Sequence, residues 1–125
     1  MEEIKVGEYV RINKDFRTIC LGIGKVVNKN QNTIYIKMSS NDLPIAFNVD
    51  SIAKHSPNII DLIEVGDYVN GYFVITTDDR INDDGEKIIL TENYDDWTDN
   101  GVVLNKDIKS IVTHEQFDSI RYEVI

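Results

Sequence analysis

His55 and His114, the chain's two histidines, stand 59 residues apart. Imidazole binds divalent metals and moves protons near neutral pH, so such a pair raises the question of metal ligation or acid–base work. A metal would need further ligands at suitable spacing, and the single cysteine, Cys20, belongs to another stretch. Set between Ile19 and Leu21, Cys20 reads as a small buried hydrophobe. The segment from Asp96 to Asp107 has oxygen ligands at loop positions 1, 3, 5 and 12 and glycine at 6, as a calcium loop requires. Yet no amphipathic helices flank it, Asp107 replaces the usual closing Glu, and Asn100-Gly101 independently predicts a hairpin. The neighbours Asp83/Asp84 and Asp95/Asp96 would do hydrolytic work only in a cleft that separates their pKa values; their polar surroundings read as a solvated face. No glycine-rich phosphate loop and no Ser-His-Asp or Cys-His spelling occurs. The chemistry-bearing residues thus predict a protein that is not an enzyme, with no catalytic residues, no metal and no cofactor.

Charge points instead to binding. Residues 1–62 carry eight Lys or Arg against seven Asp or Glu, net +1, whereas residues 63–125 carry five against fifteen, net −10. Nine of those carboxylates, Asp78, Asp79, Asp83, Asp84, Glu86, Glu92, Asp95, Asp96 and Asp99, fall in one stretch, with Tyr94 and Trp97 among them. Such a field repels nucleic acid and attracts a basic surface, carboxylates steering the encounter while Trp and Tyr bury area as anchors. These eleven residues are the candidate partner-binding site, unless the acidity only keeps the protein in solution and Trp97 is core. Direct nucleic-acid binding would fall to Arg11, Lys14, Arg17, Lys25, Lys29 and Lys37, interleaved with Tyr9, Phe16 and Tyr35. Their half of the chain lacks the clear basic excess of phosphate binders.

The elements that must position these residues come in two copies. Ile63 to Val69 repeats Ile4 to Val10 at five of seven positions, and Ser110 to His114 repeats Ser51 to His55 at three of five, both at an offset of 59. Separate blocks at one offset argue for a duplicated unit, 1–62 and 63–125, and a unit that small has a marginal core of its own, so the copies are expected to pack together. Within each copy the apolar residues alternate: Ile4, Val6, Val10 and Ile12 share one parity while Lys5, Tyr9 and Arg11 take the other. Strands are predicted at 4–12, 19–27, 33–38 and 44–49, with a helical turn before a fifth strand near Ile52. Asn70-Gly71, Asp84-Gly85 and Asn100-Gly101 signal turns in the second copy. Thr113 to Gln116 spells a capping box ahead of a strand predicted at 120–125. The fold class is all-β, with isolated helical turns.

Five or so short strands per copy, opening on Val-Gly-acid-Tyr-Val, resemble the small SH3-like barrels of the KOW and Tudor type. The segments KHSPNIIDLIEVGDYVNGY (Lys54 to Tyr72) and IKSIVTHEQFDSIRYEV (Ile108 to Val124) resemble small proteins of phages and prophages of low-GC Gram-positive bacteria. That resemblance implies a phage-type protein in the host cytoplasm, in keeping with the acidic start and the lack of an apolar run of about 20 residues. The expectation is a tandem of two SH3-like barrels whose acidic second unit engages a basic host protein. It would act by mimicking nucleic acid toward a nucleic-acid-handling or defence protein. The alternatives are a small-molecule or nucleotide-sequestering module, with its site at the junction of the copies, and a virion assembly component.

Overall fold

The computed structural model describes residues 3–13, 21–77, 80–98 and 100–120. The first copy forms β1 (Tyr9–Ile12), β2 (Gly22–Asn30), β3 (Thr33–Lys37), β4 (Ile45–Asn48) and β5 (Ile52–Ser56), with a 3-10 turn at Val49–Ser51 leading into β5. The second forms β6 (Tyr68–Val69), β7 (Tyr72–Thr76), β8 (Ile88–Thr91), β9 (Val102–Leu104) and β10 (Ile111–Val112), with a 3-10 turn at Asn105–Asp107 before β10. Each copy is one antiparallel five-stranded sheet, in the orders β4-β3-β2-β1-β5 and β10-β6-β7-β8-β9. The duplication read in the sequence is therefore a duplication of topology. No strand pairing among the described residues closes either sheet into a barrel. The chain continues into α1 (His114–Ile120).

The copies start on the same turn. Gly7 and Gly66 take φ of +97° and +99°, a conformation that residues with a Cβ avoid. Glu8 N donates to Lys5 O and Asp67 N to Glu64 O, both at 3.1 Å. The acid side chain turns back in each copy, Glu8 accepting from Lys5 N at 2.7 Å and Asp67 from Glu64 N at 2.8 Å. This turn explains why β1 starts at Tyr9 and not at Ile4: a positive φ at Gly7 ends the extended backbone, leaving Ile4 buried but Val6 exposed. Asn70 and Gly71, both at positive φ, make the expected β6–β7 hairpin.

Two apolar clusters follow. One gathers Val10, Ile12, Val26, Ile34, Ile36 and Phe47; the other gathers Ile60, Ile63, Val69, Val74, Ile89 and Val103. Ile23, a β2 residue of the first copy, packs against the second cluster with Ile108 and Ile111. The copies pack on each other, as their size required. At α1, Thr113 N donates to Gln116 Oε1 at 2.8 Å and Gln116 N to Thr113 Oγ1 at 3.2 Å, the reciprocal cap its spelling predicted. The helix runs two turns, through Ile120, where a strand was expected to begin; the rest of that expected strand lies outside the described residues. No helix among the described residues is long and apolar enough to cross a membrane.

Candidate functional site

The acidic residues sit on the two connections that flank β8. Asp83, Asp84 and Glu86 occupy the arm between β7 and β8, where Ile81 bridges Lys87 and the Asn82 side chain accepts from Asp84 N and Glu86 N. Glu92, Tyr94, Asp95, Asp96 and Trp97 occupy the loop between β8 and β9, which Gly101 closes. A Cβ on Gly101 would lie 2.5 Å from Tyr94 backbone atoms, so only glycine lets the loop fold back so tightly. Asp95 Oδ1 accepts from Trp97 N at 2.9 Å, which fixes the turn that carries the indole. Because the two connections leave opposite ends of β8, the structure splits the predicted site into two acidic loops. Asp78, Asp79 and Asp99 lie outside the described residues.

All of these carboxylates that are described are exposed, and so are Tyr94 and Trp97. Trp97 is 93% exposed, which excludes its reading as core. A hydrogen bond to the Asp96 carboxylate holds the Tyr94 phenol above its ordinary pKa. The calcium-loop spelling is broken up by secondary structure. Val102 to Leu104 is extended in the sheet, and the Asp107 carboxylate accepts from Leu104 N at 3.3 Å.

A second cluster, at the junction of the copies, is one that sequence reasoning missed. Arg11 is wholly buried, and all five of its N–H donors are engaged. Nη1 donates to Asp67 Oδ2 at 2.6 Å and to Leu62 O at 2.8 Å. Nη2 donates to Asp67 Oδ1 at 2.8 Å and to Glu115 Oε2 at 2.6 Å, and Nε donates to Glu115 Oε1 at 3.1 Å. Burial would lower the guanidinium's pKa, but its hydrogen bonds to Asp67 and Glu115 outweigh burial and keep it charged. Arg11 was expected on the exposed parity of its strand. The signal that could have found it is the asymmetry of the repeat, since Asn70 stands at the equivalent position.

The histidines join acids of the repeated turns. His55 Nδ1 lies 3.2 Å from both Glu8 oxygens, whereas His114 Nε2 meets Glu64 Oε1 at 2.8 Å, because Arg11 has taken the equivalent acid, Asp67. Burial pushes Glu64 up, yet hydrogen bonds from His114 and Lys54 and the charge of Arg11 bring it down to about 2. Burial likewise raises Glu8, and the Lys5 N–H and His55 more than offset it. Glu64, His114 and Glu115 hold one ligand atom each within 4.8 Å of one another, a set that could hold a divalent ion. Arg11 and Lys54 already supply cationic charge to those carboxylates. Arg11 is thereby removed from the residues considered for nucleic acid, while Lys14, Phe16 and Arg17 lie outside the described residues.

No known family claims the chain by similarity: neither protein-family models, nor curated proteins, nor solved structures return a match.

Proposed function

We propose that the protein is a non-enzymatic binding protein whose second unit engages a basic protein partner through its acidic loops, with Trp97 as the anchor. The full exposure of the chain's one tryptophan among Glu92, Asp95 and Asp96 carries this reading. An indole left in water gives up the burial that makes it valuable, and aromatic anchors inside a charged rim are how interfaces gain affinity and on-rate together. Each unit is read as an SH3-like module, supported by five short strands that start after the Val-Gly-acid turn and by a 3-10 turn ahead of the fifth. The resemblance of Lys54 to Tyr72 and Ile108 to Val124 to phage proteins makes a host protein the natural partner, with the carboxylates standing where nucleic-acid phosphates would.

Affinity capture from host lysate at low salt, with the native chain, with Trp97→Ala and with Asp83→Asn/Asp84→Asn/Asp95→Asn/Asp96→Asn, tests this. The expected result is a basic protein held by the native chain, released as salt rises, and lost from both variants. Purified, that protein should shift the Trp97 fluorescence to the blue as the indole leaves water. Equal capture by all three proteins would reduce the acidity to a solubility device.

A further inference from the structure

A groove runs along the junction of the two copies. Ile23, Met38 and Ile59 line both of its adjoining hollows, of about 400 and 420 Å3. Lys25 and Lys37 flank the first hollow beside Tyr9, and Lys109 flanks the second beside Ile108 and Ile111. Ser39 and Ser40 line both hollows. No carboxylate is among the described lining residues, in a chain with 22 Asp and Glu against 13 Lys and Arg. Lys29, Lys54 and Lys87 each pair with an acid. Lys25, Lys37 and Lys109 have no carboxylate partner among the described residues; Lys25 Nζ sits 5.8 Å from the Tyr9 ring centroid, and Lys37 Nζ donates a long bond of 3.4 Å to Ser40 O. The floor is also built to approach closely. A Cβ on Gly24 would stand 2.4 Å from Ile36 Cγ2 and 2.8 Å from Met38 Sδ, so the absent side chain is what seats Met38 there.

We propose that this groove binds a small phosphate ester carrying a flat apolar ring system, a ligand of the nucleotide class. Three cations free of carboxylates, gathered along one groove, form a local positive field on an acidic protein, which concentrates an anion there. The Ile and Met shelf takes a ring face, and either volume falls within the usual range for small-ligand sites, about 300–1,000 Å3. Size decides between a free nucleotide and a long strand. A short ligand feels only the nearby lysines, within about a Debye length of 8 Å, whereas a polyanion would also meet the field of the second copy's net −10. The site is distinct from the acidic loops and stands or falls without them.

Calorimetric titration of the whole chain at low salt with the four ribonucleoside monophosphates, the dinucleotide pApA, adenosine, inorganic phosphate and a long oligothymidylate tests the proposal. Saturable binding of one or more of the monophosphates or of pApA, tighter than adenosine or phosphate alone, is expected. Lys25→Ala and Lys109→Ala should each weaken it about tenfold, the scale of one lost charge-assisted hydrogen bond. Ser40→Glu, which puts a carboxylate on the exposed rim, should abolish it, and Lys106→Ala, outside the groove, should leave it unchanged. Absence of saturable binding by every mononucleotide and by pApA would overturn the proposal. So would an equal loss in Lys106→Ala, or binding of the oligothymidylate alone.

Discussion

Arg11 joins the copies by charge that never reaches water. Its guanidinium meets the equally buried Asp67 end-on through Nη1 and Nη2, and its remaining donors are taken by Glu115 and the Leu62 carbonyl. Removing the cation would strand Asp67 as a buried, uncompensated carboxylate. Arg11→Ala is therefore expected to cost about 3–5 kcal/mol, the range for breaking one side of a buried pair, read as a lower urea midpoint. A loss of only a few tenths would show the cluster to be solvated. Glu64 adds a pH dependence. Its folded pKa of about 2 lies below the ordinary value of 4.5, so the folded state binds this proton less readily than the unfolded chain. That contribution is fully present above about pH 4.5 and is lost as pH falls toward 2; Glu8, shifted the same way, adds to it. Urea midpoints taken from pH 7 down to pH 3 should fall, and the fall should be shallower in Glu64→Gln. An unchanged slope in the variant would remove Glu64 from the account.

At the scale of elements, the sequence was most legible where backbone chemistry is local. The Asn70-Gly71 and Asp84-Gly85 hairpins, the helical turn before the first copy's fifth strand and the Thr113–Gln116 cap all stand where the residues spell them. What could not be read was burial that comes from the other copy. Alternation in β1 marks Val10 and Ile12 as inward, but only the packed second copy and α1 bury Arg11 on the opposite parity. The acidic residues are adjacent in sequence, yet β8 separates them into two loops, a matter of strand direction that composition does not carry. The repeated turn allows a matched test. At Gly7 an added Cβ meets nothing within 4 Å, and at Gly66 the nearest atom is His114 Cβ at 3.6 Å, so space is not limiting at either site. Strain from positive φ remains, and Gly7→Ala and Gly66→Ala should each destabilise the protein by about 1–2 kcal/mol and by nearly equal amounts. Equilibrium denaturation measures both. Strongly unequal losses would mean that the two turns, alike in geometry, are not alike in energy.

For the whole molecule the decisive property is that neither copy is finished without the other. The second apolar cluster takes Ile23 from β2 of the first copy, and the first copy's Arg11 finds its partners on Asp67 and α1 of the second. Gln116 of α1 lies over Gly22, where a Cβ would come within 2.8 Å of its side chain, so the helix of one copy is seated on a strand of the other. Units of about 60 residues have little stability to spare, and each contact that crosses the junction couples their unfolding. Thermal unfolding is accordingly expected as one transition, with calorimetric and van't Hoff enthalpies equal. Arg11→Ala weakens the junction while leaving both sheets' strand pairing in place, so it should broaden or split that transition in addition to lowering it. Two resolved transitions in the native chain would show independent units. The groove along the junction would then lie between bodies free to move against each other, and its lysines could not be held in register for one ligand.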